Sequence, residues 1–220
     1  MNIKSKLKGN LSLIVVIALC VVMGLIFLLL ANMIKGTELL LIDKVISDIF
    51  IVEHQSLIFK MFEFIAWFGS TTGIVTLVVV MIIFLRLKYR DFKGIILLVI
   101  MVLFSNVLNK MLKEFFQRER PDIHPAIQEG GFSFPSGGAL IGLVAYGLAT
   151  YLIVHKRTVL KEKIIIGFCG GVLIMLIGIS RIALGAHFPT DVIAGHMLGL
   201  ILLILAIYLH NYIPNTFLKK

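Results

Sequence analysis

The sequence predicts an all-α membrane protein in which residues 1–220 form a single domain, one bundle of six transmembrane helices. The first observation is composition: 59% of the 220 residues are hydrophobic and only 15% are charged, with a mean hydropathy of +1.03. The second is that several apolar runs reach the roughly 20 residues that a helix needs to cross a bilayer. The third is that basic residues cluster between alternate runs. Together these observations exclude a soluble globular domain.

Six apolar runs define the predicted spans. The first follows three lysines and exceeds the apolar segment of about 7–15 residues found in a secretory signal peptide, so we expect an uncleaved helix. Residues 35–60 mix charged and apolar side chains, which predicts a short amphipathic helix at the membrane interface, with a plain loop as the alternative. The spans are predicted over residues 11–33, 62–85, 94–112, 136–154, 164–186 and 189–212.

The distribution of Lys and Arg predicts the orientation of the bundle. With six spans, both termini and the loops at 86–93 and 155–163 lie on one side, and these segments hold 13 of the 21 Lys and Arg residues. The positive-inside rule therefore places both termini in the cytoplasm of a multi-pass cell-membrane protein. The compact size suits a bacterial plasma membrane. Because this topology explains the net charge of +9, we expect no nucleic-acid partner.

Glycine spacing predicts close packing of the last three spans. Small residues four apart let helix backbones approach closely in lipid. Such pairs occur at Gly138/Gly142, Gly167/Gly171 and Gly195/Gly199, and a seven-residue repeat occurs at Gly171, Gly178 and Gly185. We therefore expect a tight core that holds the outward-facing helix ends in register.

A polar stretch separates the last two spans and carries Arg181, His187 and Asp191. Ionisable residues near lipid are costly and mark functional sites. His187 and Asp191 lie four apart, so the carboxylate can hold and polarise the imidazole if a helix begins between them. Arg181 offers a planar fork of donors to an oxyanion. Taken alone, the three residues fit a proton relay or a buried ion network as well as an anion site.

Two further fragments are predicted to face outward with that stretch. Lys113 and Arg120 are seven residues apart, about two helical turns, so both can point toward one anion; the alternative is interfacial anchoring by long side chains. Ser136 is placed to N-cap the fourth span. The amides of Gly137 and Gly138 would then be free at a helix N-terminus, an arrangement that binds phosphate, with a simple cap as the alternative.

In this order the fragments resemble the three-part signature of the type 2 phosphatidic acid phosphatase (PAP2) superfamily, the lipid phosphate phosphatases. The matching residues are Lys113, Arg120 and Pro121, then Pro135, Ser136 and Gly137, then Ser180, Arg181, His187 and Asp191. Six spans, with the motifs at the third-to-fourth and fifth-to-sixth junctions, are also similar to the family's architecture.

The resemblance implies a metal-independent hydrolase that needs no cofactor. His187 would attack phosphorus to give a phosphohistidine, and Asp191 would fix the histidine tautomer. The phosphoryl oxygens would be bound by Arg181, Lys113, Arg120, Ser136 and the backbone near Gly137 and Gly138. The partner would be a lipid phosphate or diphosphate at the outer membrane face, either an isoprenoid diphosphate or a lipid of the phosphatidylglycerophosphate or phosphatidate class. The oligomeric state is left open.

One position departs from the family pattern. The second motif of the family reads Pro-Ser-Gly-His, and Gly138 stands where that histidine belongs. In the family this histidine protonates the leaving oxygen, and general acid catalysis typically contributes about 10²–10⁴-fold, so we expect impaired turnover. Three explanations of Gly138 are open. The residue is a substitution that disables turnover, or the chain has lost catalysis and kept lipid binding, or the chain is an enzyme that works without this acid. The alternative function is therefore a catalytically silent bundle that binds anionic phospholipid headgroups. His124 is a weaker candidate for the acid.

Overall fold

A computed structural model describes residues 3–36, 40–54, 56–121 and 130–212, with side chains from Leu13 onward. Within these ranges the chain is helical and contains no β-strand. Six segments, namely α1, α4 with the π-helical turn that extends it, and α5 to α8, are long and apolar enough to cross a membrane. The predicted all-α class with six spans is thereby confirmed. The elements are α1 (Ile3–Met33), α2 (Leu41–Phe50), α3 (Leu57–Phe68), α4 (Thr71–Phe84), the π-helical turn (Leu85–Tyr89), α5 (Phe92–Phe116), α6 (Gly137–His155), α7 (Leu160–Ala183) and α8 (Pro189–Tyr212).

The predicted second span, 62–85, is wrong at its start, because two helices meet inside it. Helix α3 ends at Phe68, with Gly69 as its C-cap, and Ser70 caps the start of α4 by accepting a hydrogen bond from the Gly73 amide at 3.1 Å. A Cβ at Gly73 would lie 2.1 Å from the Trp67 carbonyl oxygen, so a larger residue cannot fit at this junction. The serine cap competes with helix continuation, as serine commonly does. The membrane-crossing helix therefore starts at Thr71.

Helix α2 confirms that residues 35–60 contain a short amphipathic helix, although its polarity is inverted relative to a soluble protein. Its buried side chains are the polar Asp43 and Ser47. Its apolar side chains face outward, with Leu41 77% and Ile49 72% exposed. A helix with this pattern suits a position where apolar side chains meet lipid and polar ones meet protein. Its predicted place at the interface is compatible with this burial pattern.

Helix α6 is the centre of the bundle and packs against α5, α7 and α8. Its side chains form the largest apolar cluster together with α5 and α8, and Leu140, Val144, Leu148 and Leu152 are fully buried. The start of α6 and the ends of α5 and α7 lie at one end of the bundle. This end also receives the start of α8, so four spans deliver their termini to the same place.

The glycine predictions hold on one helix and fail on another. Gly195 and Gly199 bring α8 against α6, because a Cβ at these positions would lie 2.7 Å from the Ser136 carbonyl oxygen and 3.1 Å from that of Leu140. By contrast, a Cβ at Gly167 or Gly171 would meet no atom within 4 Å. The predicted close packing at this second pair is therefore wrong: α7 leaves that face outside the protein core.

Candidate active site

The predicted site residues meet around one cavity of about 870 Å³ at the end of the bundle. Helix α5 contributes its last turn, α6 its first residues, and α7 its last turn. The turn between α7 and α8 contributes the histidine. The predicted residues that line the cavity are Lys113, Arg120, Gly137, Gly138, Arg181 and His187.

Lys113 and Arg120 reach the cavity by a different route from the one predicted. Helix α5 ends at Phe116, and Gln117 adopts a left-handed conformation with a φ of 47°. The two residues therefore do not lie two turns apart on one helix, and the expected helical geometry is wrong. The chain turns after Gln117 and still returns Arg120 to the cavity that Lys113 lines.

His187 is held by a tight turn. Helix α7 ends at Ala183, Gly185 takes a φ of 66°, and the amides of Ala186 and His187 both donate to the Arg181 carbonyl oxygen at 3.0 and 3.1 Å. Glycine is the residue that adopts this left-handed conformation without steric cost. The turn thereby fixes the imidazole, which is 2% exposed, next to the start of α8.

Asp191 lies in the first turn of α8 and anchors that helix. Its Oδ2 accepts a hydrogen bond from the Phe188 amide at 2.9 Å, the reciprocal half of a capping box. Its Oδ2 is 3.7 Å from His187 Nδ1, which is too long for a hydrogen bond. The carboxylate and the imidazole therefore lie at ion-pair distance rather than in a direct hydrogen bond, and the role of Asp191 in fixing the histidine tautomer stays a prediction.

Ser133 stands between the two groups and was not identified from the sequence. Its Oγ donates to Asp191 Oδ2 at 2.5 Å and lies 3.2 Å from His187 Nδ1. The residue is fully buried. A serine in a loop before a proline has no pattern that marks it as functional, so only the folded structure reveals it.

A buried ionic cluster, which we call the Arg118 cluster, lies behind the histidine. It consists of Asp43, Arg118, Thr190 and Asp191. Arg118 donates to Asp43 and Asp191, each at 2.6 Å, and to Thr190 Oγ1 at 2.8 Å. Asp43 also accepts from the Thr190 amide and hydroxyl at 2.9 and 2.8 Å. Both carboxylates are fully buried, so helix α2 is tied directly to the start of α8.

Arg120 faces the other ring nitrogen of the histidine. Its Nη1 lies 3.3 Å from His187 Nε2 and donates to the Ala186 carbonyl oxygen at 2.8 Å. Its Nε donates to the Gly131 carbonyl oxygen at 3.0 Å. The guanidinium is thus fixed by backbone carbonyls on both sides of the cavity mouth.

Arg181 packs against the position where the family has a histidine. A Cβ at Gly138 would lie 2.6 Å from Arg181 Nε, and Arg181 Nη2 donates to the Ala66 carbonyl oxygen at 2.8 Å. The side chain is 5% exposed. Any larger residue at 138 therefore has to share its space with this guanidinium.

Ser136 occupies the N-cap position of α6, but its side chain makes no capping hydrogen bond, so this part of the prediction is wrong. Its hydroxyl is buried and has no hydrogen-bond partner among the described residues, while its amide donates to the Asp191 carbonyl oxygen at 3.0 Å. Asn109, another residue missed from the sequence, donates to the Pro135 carbonyl oxygen at 3.1 Å. Its Oδ1 would lie 2.9 Å from a Cβ at position 137, which accounts for Gly137.

Two further predictions concern the candidate acid His124 and the absence of a metal. His124 falls within 122–129, outside the described residues. Among the residues that are described, no group of three or more His, Cys, Asp or Glu side chains is positioned to hold a metal ion. The expectation that the reaction needs neither metal nor cofactor stays a prediction.

Comparison with known proteins places these features in a family. The PAP2 superfamily profile matches residues 93–214. Phosphatidylglycerophosphatase B of Bacillus subtilis (strain 168) is 33% identical over 182 residues, which cover 82% of this chain and 89% of that protein.

Two crystal structures are similar to the fold. The first is described as the first transmembrane PAP2 type phosphatidylglycerolphosphate phosphatase from Bacillus subtilis. It has a TM-score of 0.79 and 32% identity, covering 89% of this chain and 98% of that one. The second, Aquifex aeolicus LpxE, has a TM-score of 0.54 and 27% identity, covering 71% and 88%.

Proposed function

The chain belongs to the PAP2 superfamily, and from that premise we propose that it is a membrane-embedded lipid phosphate phosphatase. The observation that carries the proposal is the surrounding of His187: its Nε2 lies 3.3 Å from the Arg120 guanidinium, in a cavity that Lys113 and Arg181 also line. A nucleophile among cations suits attack on a phosphoryl group, whose transferring oxygens carry negative charge.

The proposed reaction proceeds in two steps. His187 Nε2 forms a bond to phosphorus while the P–O bond to the lipid breaks, and the bonding electrons leave with the lipid oxygen. Water then attacks the phosphohistidine and releases phosphate. Lys113, Arg120 and Arg181 stabilise the charge on the phosphoryl oxygens in both transition states, together with the first amides of α6. No metal takes part in this scheme.

Phosphatidylglycerophosphate is the substrate class we favour. The support is the name of the Bacillus subtilis phosphatidylglycerophosphatase B, which aligns with 82% of this chain, together with the crystal structure described as a phosphatidylglycerolphosphate phosphatase from Bacillus subtilis. An isoprenoid diphosphate is the other candidate within the same reaction. The site is proposed to face away from the cytoplasm, since the basic loops lie at the opposite end of the bundle.

Gly138 supports a second candidate function, a silent bundle that binds anionic phospholipid headgroups. Without a histidine at 138, the departing oxygen of an alcohol lacks its proton donor, while the cations around the cavity stay in place. Binding would then persist without turnover. This alternative differs from the first in a single measurable quantity, the release of phosphate.

Phosphate release from lipid micelles tests the proposal. We expect slow release by the chain as it stands, faster release by Gly138→His, and none above background by His187→Ala. If neither the unsubstituted chain nor Gly138→His releases phosphate from any lipid phosphate above the His187→Ala background, while vesicles carrying that lipid still bind the unsubstituted chain, the phosphatase is refuted and the binding function is favoured.

The leaving group gives a sharper expectation about Gly138. A lipid alcohol is strongly basic and needs a proton, whereas a lipid monophosphate leaves a diphosphate as a stable anion. Relative to Gly138→His, the chain should therefore keep a larger share of its activity on an isoprenoid diphosphate than on phosphatidate. An equal proportional loss on both substrates would contradict this reasoning.

A further inference from the structure

Ser133 connects the histidine to the aspartate of the site. Its Oγ lies 3.2 Å from His187 Nδ1 and 2.5 Å from Asp191 Oδ2, whereas the two partners are 3.7 Å apart. All three side chains are buried, with His187 2% and the other two 0% exposed. In such surroundings a polar group has to be hydrogen-bonded or it destabilises the fold.

The donors and acceptors fix the direction of each hydrogen bond. Arginine only donates, so the contact between Arg120 and His187 requires Nε2 to accept and places the ring proton on Nδ1. The Asp191 carboxylate, paired with Arg118 through its other oxygen, only accepts. The Ser133 hydroxyl therefore gives its proton to Asp191 and accepts the proton of Nδ1–H.

The backbone holds Ser133 at this point. Its amide donates to the Arg118 carbonyl oxygen at 2.7 Å. The next residue, Phe134, is fully buried; its ring stacks on Phe27 with centroids 5.6 Å apart and meets Phe116 edge-on at 5.0 Å. The hydroxyl is thus positioned before any substrate arrives, the condition for effective stabilisation of developing charge.

We propose that Ser133 is a positioning residue through which Asp191 acts on His187. It holds the imidazole in the Nδ1–H tautomer, which leaves the Nε2 lone pair directed at the substrate. As Nε2 bonds to phosphorus and the lipid oxygen departs with the bonding electrons, positive charge develops on the ring. The Nδ1 proton stays on the ring, and the serine hydroxyl, polarised by the carboxylate, stabilises that charge. This role rests on the proposed phosphatase function.

Kinetics of Ser133→Ala test the role. We expect kcat on a phosphatidylglycerophosphate micelle substrate to fall roughly ten- to a hundredfold, the factor for one hydrogen bond to a group that becomes charged, with KM within about twofold. The matched control is Ser105→Ala. Ser105 is equally buried, and its hydroxyl donates to the Val102 carbonyl oxygen of its own helix at 2.9 Å, so its removal should leave kcat unchanged.

A double-mutant cycle separates coupling from general damage. If Ser133 works through Asp191, Ser133→Ala should cost little once Asp191→Asn is present, since contacting residues that act together are not additive. Independent, multiplying losses would overturn the proposal.

A tautomer measurement distinguishes failure of this proposal from failure of the phosphatase function. In ¹⁵N-histidine-labelled protein, with His187→Ala to assign the signal, the ring should be the Nδ1–H form and should lose that preference in Ser133→Ala. An Nε2–H ring in the unsubstituted chain, or no change on substitution, refutes the role of Ser133. The expected tautomer without phosphate release from any lipid refutes the function and leaves the positioning supported.

Discussion

Replacing Arg118 by methionine should strongly destabilise the protein. The guanidinium pairs with Asp43 and Asp191, each at 2.6 Å, and both carboxylates are fully buried. Methionine keeps the length and the apolar stem of the side chain but removes the charge and every donor. Two buried carboxylates then share no cation, although Thr190 still donates to one of them.

The magnitude follows from the burial. Removing one partner of a buried ion pair costs about 3–5 kcal/mol, because the other charge is left uncompensated. For a chain of this length 1 kcal/mol shifts Tm by about 2–4 °C. The substitution should therefore lower Tm by about 6–20 °C. The Tm of Arg118→Lys should lie between those of the unsubstituted chain and Arg118→Met, because an ammonium keeps the charge but lacks the planar fork that spans two carboxylates.

Thermal unfolding in detergent measures this shift. The matched control is Arg157→Met, which breaks a 3.7 Å pair with Glu162 whose side chains are 30% and 50% exposed. An exposed pair contributes about 0–1 kcal/mol, so its Tm should barely move. Equal shifts for both variants would refute the reasoning. Adding Asp43→Asn to Arg118→Met should recover part of the loss, whereas a purely steric defect would gain nothing from it.

Two other substitutions test features away from the histidine. Burial raises the pKa of Asp91, but the 2.6 Å contact with Lys156 and the Gly94 amide outweigh it and hold that pKa below its ordinary value of 3.8. The pair therefore stabilises the fold above that pH, and its contribution is lost as the pH falls through the lowered pKa. The Tm gap between the chain and Asp91→Asn, measured by thermal unfolding, should accordingly close in acid, and a gap that widens would contradict it. Gly195→Val should push α8 off α6 and cost about 1–3 kcal/mol; Gly171→Val, on an open face, is the control, and equal Tm losses would count against the packing argument.

The membrane-crossing helices were predictable from sequence because lipid imposes a simple rule on composition and length. The last helix runs over Pro189–Tyr212 as predicted, since a proline starts it and apolar residues continue it. The break at Gly69 was missed because the short polar stretch 69–73 lies between two longer apolar runs, and a few small and hydroxyl-bearing residues inside such a run resemble ordinary membrane-helix composition.

Within the site, residues that belong to ordered motifs were predictable and those that support them were not. His187 and Arg181 lie in the short polar stretch between two apolar spans, where an ionisable residue is costly and therefore indicates a functional site. Asp43 and Ser133 could not be predicted as site residues, because their roles depend on partners 147 and 58 residues away along the chain. Such contacts are determined by how the helices pack, and helix packing cannot be deduced from the composition of the chain.

The bonds between Asp43 and Thr190 have a consequence for biosynthesis. Because they join residues 147 positions apart, the carboxylate of α2 emerges long before its partner exists. At a synthesis rate of about 5–20 residues per second, it waits about 7 to 30 seconds. The Arg118 cluster is therefore one of the last parts of the molecule to close, after the final helix has left the ribosome and reached the bilayer. A nascent chain that stops before α8 has five spans and no site.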